Sequence, residues 1–126
     1  MDLENNTVLI TGGSAGIGFA LAEKFVRAGS KVIVCGRRKE VLEQAKETLP
    51  ELGIYVCDVG VEKERINLFN WISENYPNLN VLINNAGIQR WKKLNTDEEW
   101  SETQKEIAIN FEAPIHLANL FIPHLL

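Results

Sequence analysis

Thr11-Gly12-Gly13-Ser14-Ala15-Gly16-Ile17-Gly18 stands between two stretches of different periodicity. Before it, Thr7-Val8-Leu9-Ile10-Thr11 is a short, β-favouring run. After it, 17–28 carries apolar residues at 17, 21 and 25 with Ala20 beside them, the spacing of a helix that Gly29 then stops. Glycines at such a turn let the backbone take positive φ and let a phosphate come close. The helix beyond offers unbonded N–H groups and the positive end of its dipole to that phosphate. Glycines can also serve a tight turn alone. Three of them, at 12, 16 and 18, between strand and helix favour nucleotide binding over that simpler role. The spacing is not GxGxxG, and no lysine follows the glycines as in a P-loop.

The alternation continues outward. Lys31-Val32-Ile33-Val34-Cys35 reads as a second strand ending at Gly36, and a helix over about 39–48 uses Val41, Leu42, Ala45 and Leu49 before Pro50. A third strand is expected at 53–57. A helix over 62–76 follows, with Ile66, Phe69 and Ile72 along one face, and Val81-Leu82-Ile83-Asn84 is a fourth strand. Thr96 with Glu99 forms a capping box that opens a fourth helix. The order βαβαβαβα, with strands apolar throughout, predicts a doubly wound parallel α/β sheet with helices on both faces and strand order 3-2-1-4. In such a sheet ligands bind at the carboxyl ends of the strands.

Composition bounds the function. The 126 residues carry a net charge of −4, with 45% hydrophobic and 24% charged residues, which is the profile of one folded domain rather than of disorder. The acidic balance argues against nucleic acid as a partner. Two cysteines cannot build a disulfide framework, which makes a cytoplasmic setting the expectation. Met1-Asp2-Leu3-Glu4 lacks a basic n-region, so no signal peptide is expected. The apolar stretch 107–126 contains Asn110, Glu112, Pro114, His116, Asn119, Pro123 and His124, too polar a set for a lipid-facing span, and no membrane role is expected.

Thr11-Gly-x-x-x-Gly-x-Gly18 resembles the cofactor turn of the classical short-chain dehydrogenases/reductases, and the matches that follow come in family order. Asp58-Val59 closes the third strand, where the family holds the adenine ring with a carboxylate and a backbone amide. Asn84-Asn85-Ala86-Gly87 is similar to the family's NNAG motif, which stabilises the sheet and lines the cofactor ribose. Asn110 falls where the family places an active-site asparagine. The stretch from Tyr76-Pro77-Asn78-Leu79-Asn80 to Ile88-Gln89 resembles the DltE-like branch. The resemblance implies a Rossmann-like fold over the whole chain. It also implies a cofactor set of Gly12, Ser14, Ala15, Gly16, Ile17, Gly18, Arg37, Arg38, Asp58, Val59, Asn84, Asn85, Ala86 and Gly87, with Asn110 as the catalytic residue present. In the family the fourth helix contributes to a subunit interface, so a homo-oligomer is expected of the intact protein.

The cofactor follows from the end of the second strand. A carboxylate there would accept the adenosine ribose hydroxyls of NAD(H). Gly36-Arg37-Arg38-Lys39 stands there instead, and the first carboxylate is Glu40. Guanidinium groups pair with a 2′-phosphate, and cations at a helix N-terminus otherwise oppose its dipole. NADP(H) is therefore expected over NAD(H), which stays the alternative.

The family's catalytic tyrosine, with a lysine four residues on, has no counterpart. Tyr55 and Tyr76 are followed at that spacing by Val59 and Asn80. Pro114 has no N–H to give the Asn110 carbonyl. Either that carbonyl holds an ordered water, which the family uses in a proton relay, or the proline makes an incidental kink. Weaker signals carry simpler readings. Cys35 and Cys57 read as small buried thiols, and Trp71 and Trp100 as packing residues. His116 and His124 lack clustered ligands, so no metal is expected. Arg90-Trp91-Lys92-Lys93 reads as a loop beside the cleft.

The chain thus reads as the cofactor-binding half of an NADP(H)-dependent oxidoreductase acting on a carbonyl or alcohol, cut before the catalytic Ser and Tyr-x-x-x-Lys. The fourth strand, whose Val81, Leu82 and Ile83 carry neither charge nor proline, would otherwise be an unprotected edge. A catalytically silent dinucleotide-binding or redox-sensing module, and a half-fold completed by another chain, are the alternatives.

Overall fold

The computed structural model describes residues 3–87 and 98–125. Ile88-Gln89, Arg90–Lys93 and Thr96 of the expected capping box lie outside them. Four strands, β1 (Thr7–Thr11), β2 (Lys31–Gly36), β3 (Gly53–Val56) and β4 (Val81–Asn84), form one parallel sheet in the order β3-β2-β1-β4. The helices are α1 (Gly16–Arg27), α2 (Lys39–Thr48), α3 (Glu62–Asn75), α4 (Glu98–Ile107) and α5 (Ala113–Leu125). This is the doubly wound Rossmann-like sheet the sequence predicts, in its four-stranded form.

Side chains alternate across the sheet because successive Cβ atoms point to opposite faces. Val8, Ile10, Val32 and Val34 pack with Ala22 and Phe25 of α1 and Leu42 and Ala45 of α2. Leu9, Ile33 and Cys35 face the other way, onto Leu68 and Ile72 of α3 and Leu117 and Phe121 of α5. Burial on both faces is why the central positions of β1 and β2, Val8–Ile10 and Val32–Cys35, are apolar. Register places Thr11 opposite Cys35 on one side and Asn84 on the other, which brings the carboxyl ends of three strands level.

Gly29 ends α1 at φ +96°, as a left-handed glycine should. Its N–H bonds the Val26 carbonyl and the Ser30 N–H bonds that of Phe25, the paired bonds of a Schellman cap.

Several expectations need correction. The buried stripe of α1 is Gly18, Ala22 and Phe25, and Ile17 is 76% exposed. A glycine counts for nothing in a hydrophobic pattern, so the true inner face reads one position out. In α3 the buried face is Arg65, Leu68 and Ile72, while Ile66 is 39% exposed. Trp71 packs on Tyr55 and Tyr76, with ring centroids 4.8 and 5.6 Å away, but Trp100 is 60% exposed. The third strand stops at Val56 and the third helix at Asn75, each one residue early.

The fourth helix is not one helix. Between α4 and α5 the chain widens into a π turn over Ala108–Glu112, where the Ala113 N–H reaches five residues back to the Ala108 carbonyl. Pro114 falls in the first turn of α5, directly after the π turn. The straight helix that would exclude a relay at Asn110 is not what forms. None of the helices described is long and apolar enough to cross a membrane.

Candidate functional site

Gly12 and Gly16 take φ +66° and +61°, the left-handed region, and turn the chain from β1 into α1. A Cβ on Gly12 would lie 3.0 Å from the Ala86 Cα, and one on Gly18 would lie 2.6 Å from the Gly12 carbonyl oxygen. The turn is therefore pressed against both its own helix and the segment after β4. Ala15 leads into α1 in extended conformation, no side chain caps the helix, and its first turn holds no acidic residue. The first N–H groups of α1 thus meet no anion of the chain's own, which is the arrangement that suits a bound phosphate.

Thr11 ties the turn to β4. Its Oγ1, fully buried, accepts the Asn85 N–H at 3.0 Å and the Ala86 N–H at 3.1 Å. The Asn85 side chain donates through Nδ2 to the Gly12 carbonyl at 3.0 Å. Asn85 therefore acts on the shape of the turn, while Ala86 and Gly87 face the cleft. Replacing Thr11 with valine keeps the shape and removes the acceptor from two N–H groups. A loss of about 2 kcal/mol in denaturant unfolding is expected, with Thr11→Ser retaining most of the stability.

An open cleft of about 240 Å³ runs along the strand ends. Gly12, Ser14, Ala15, Gly36, Arg37, Arg38, Asp58, Val59, Ala86 and Gly87 line it. Gly36 packs close to Ser14, whose Oγ would stand 3.4 Å from a Cβ there. Arg37 and Arg38 are exposed, and no carboxylate among the described residues pairs with them. Asn84, Asn110, Phe111 and Pro114 line a second hollow that shares Ala86 and Gly87 with the first. Asn110 Oδ1 lies 3.2 Å from where a Cβ on Gly87 would stand, so the π turn is brought to the NNAG segment. Ile17 and Gly16 sit at the open N-terminus of α1, and Gly18 is buried behind it.

Gly13 lies outside the set the resemblance implied. Gly13 has less room than Gly16, since a Cβ there would fall 2.5 Å from Val34 Cγ1. Cys35 and Cys57 lie beneath the cleft as free thiols. Both are buried, as the sequence reading has them. The hydrogen bond to Cys57, then burial, pushes the Cys35 thiol well above its ordinary range. The native state so keeps a proton that the unfolded chain releases above about pH 8.5. Stability is accordingly expected to fall as pH rises past that point. Thermal melts should show a steeper alkaline decline than in Cys35→Ala, and equal slopes would refute the assignment.

A family model described as short chain dehydrogenase matches residues 6–126. The chain belongs to the short chain dehydrogenase family. Within that family it is similar to "Uncharacterized oxidoreductase DltE" of Bacillus subtilis, 50% identical over 129 residues that span all of this chain and 50% of that protein. It is 31% identical to zerumbone synthase of Zingiber zerumbet over 98% of the chain and 49% of that protein. Among solved short chain dehydrogenase folds, the Pseudomonas aeruginosa RhlG/NADP active-site complex superposes with a TM-score of 0.87 at 26% identity. It covers 98% of this chain and 49% of RhlG. The 2-keto-3-deoxy-D-gluconate dehydrogenase of Streptococcus agalactiae gives 0.84 at 29% identity, over 98% and 48% of the two chains. The chain thus spans about half the length of the relatives it matches.

Proposed function

We propose that this chain is the cofactor-binding half of an NADP(H)-dependent oxidoreductase whose substrate is a small carbonyl compound or alcohol. The observation that carries the reading is the uncapped N-terminus of α1 behind two left-handed glycines, opening on the same cleft as Arg37, Arg38, Asp58 and Val59. The residues fit the cofactor along its length. The α1 N–H groups would take the pyrophosphate, and Arg37 with Arg38 the 2′-phosphate. Asp58 and the Val59 N–H would take the adenine edge, and the Ala86-Gly87 backbone the nicotinamide ribose. The cofactor, when bound, supplies the hydride.

Asn110 is the catalytic-end residue of this half, held against Gly87 by the π turn. Neither tyrosine replaces the general acid of the family. Tyr55 packs on Trp71, and partial burial raises its pKa further from the working range. The proton-transfer groups and the substrate pocket are assigned to the part of the relatives' length that this chain does not span. NADP(H) is favoured over NAD(H) because no carboxylate stands at Gly36–Lys39 and because the superposing RhlG structure is an NADP complex. Exposed Trp100, Ile107, Phe111 and Ile115 support a subunit interface along α4, the π turn and α5. Two free buried thiols accord with a cytoplasmic setting.

Calorimetric titration of the full-length protein with NADPH and NADH tests the reading. Tighter binding of NADPH and reduction of a carbonyl panel are expected. Cofactor binding without turnover of any carbonyl or alcohol would favour the silent module instead.

A further inference from the structure

The segment Asp58–Gly60 at the end of β3 is held by more bonds than a turn needs. The Asp58 N–H donates to Glu64 Oε1 at 2.8 Å. The Val59 carbonyl accepts Arg65 Nη1 at 2.6 Å, and the Arg65 Nε donates to His116 Nδ1 of α5 at 2.7 Å. Asp58 Oδ1 accepts the Gly60 N–H at 2.9 Å, and the Asp58 carbonyl accepts that of Val61. Between these anchors the Val59 N–H has no acceptor among the described residues. It stands beside the Asp58 carboxylate, and both residues line the cleft.

Arg65 is unusual in its own right. It is 4% exposed, yet no carboxylate among the described residues pairs with it. A buried guanidinium is held at a cost unless its geometry is good, and a methyl-rich side chain would fill the same place more cheaply. Both of its bonds go to neutral acceptors, one on the cleft segment and one on a neighbouring helix. For Nδ1 to accept, the imidazole must be neutral with its proton on Nε2.

We propose that Glu64 and Arg65 are positioning residues of the cofactor site, a clamp anchored on His116 that fixes the acceptor and donor presented to the cofactor's base. This rests on the assignment of the base to Asp58 and Val59. Glu64 holds the peptide before Asp58, and Arg65 holds the peptide after Val59. The peptide between them then has one orientation. A carboxylate acceptor beside an N–H donor complements adenine, whose exocyclic amine donates and whose N1 accepts. Hypoxanthine presents an oxygen and an N1–H there and mismatches both. The clamp therefore governs selectivity for the base rather than total affinity for the dinucleotide.

The test is fluorescence titration of the full-length protein with NADPH, NADH and reduced nicotinamide hypoxanthine dinucleotide phosphate. The unsubstituted protein is expected to prefer NADPH to the hypoxanthine analogue by at least about tenfold. Arg65→Met, and Arg65→Lys, which keeps the charge but cannot bridge Val59 and His116, should bring that preference to within about threefold of unity. Glu64→Ala should lower it as well, and Glu64→Gln, whose amide oxygen still accepts, should restore it. The NADPH-to-NADH ratio should stay unchanged throughout.

If both Arg65 variants keep the full base preference, the clamp is refuted and the base assignment stands. If the unsubstituted protein does not discriminate between the bases, the assignment of Asp58 and Val59 fails first, and the clamp with it. A parallel fall in both ratios would mark general loosening and also overturn the proposal. Should neither Arg65 variant fold, by circular dichroism, the Glu64→Ala and Glu64→Gln pair decides.

Discussion

Gly18→Ala is expected to abolish dinucleotide binding and to destabilise the fold. The φ of Gly18 is ordinary, so the cause is space and not backbone strain. A Cβ there would lie 2.6 Å from the Gly12 carbonyl oxygen, 2.9 Å from the Gly13 Cα and 2.5 Å from Asn85 Nδ2. Two of those three atoms are backbone of the turn itself and cannot swing aside. The third donates the bond that fixes the Gly12 carbonyl. Relief requires α1 to move off the turn, which displaces the N–H groups proposed to bind the pyrophosphate. Overpacking of this kind costs about 1–3 kcal/mol. Affinity for NADPH should fall by at least about hundredfold, since the pyrophosphate contacts act as a unit. Denaturant unfolding and titration on the same preparation check both parts. Gly16→Ala is the contrast. It meets nothing within 4 Å but sits at φ +61°, so it should cost about 1–2 kcal/mol from backbone strain alone. Near-normal NADPH affinity in Gly18→Ala would mean that the turn does not hold the cofactor.

The second large effect is at Arg37. Charge reversal to glutamate should weaken NADPH binding by about hundredfold and leave NADH binding within a few fold. The guanidinium at 37 lines the cleft and is exposed, so its side chain is available to a ligand. A charge-assisted pair with a doubly charged phosphate is worth about 1.5–3 kcal/mol, and a carboxylate in its place adds repulsion. NADH has ribose hydroxyls at that point, which a carboxylate accepts. Equal loss for both cofactors would mean that the variant disturbs the cleft as a whole. No change in either would remove the 2′-phosphate from Arg37.

The fold was legible because its signals are local and repeated. A glycine or an Asx residue stands at or within two residues of each strand's end, each helix has one apolar face, and strands apolar on both sides imply helices on both sides. The strand order β3-β2-β1-β4 follows from right-handed crossovers on either side of β1. The helix faces were less legible. Gly18 is buried and Ile17 exposed because the turn presses α1 against Gly12, and no hydropathy pattern contains that contact. Arg65 on the inner face of α3 is the same kind of failure. A guanidinium goes inside only where carbonyl and imidazole acceptors stand ready, and His116 lies 51 residues away in sequence.

Sequence by itself determined the family, the order of the elements and the short segments that converge at the strand ends, because these depend on neighbours within a few residues. The resemblance at Asn84–Gly87 and Asp58-Val59 named the positions without saying how they are held. Tertiary structure alone decided that Thr11 binds the NNAG segment to the glycine turn, and that a π turn brings Asn110 to Gly87. It also decided that Glu64 and Arg65, the latter bonded to His116, hold the Asp58-Val59 segment. These contacts cross tens of residues and depend on the angle between a helix and a sheet. That angle is set by the packing of whole faces and not by any stretch of sequence that can be read alone.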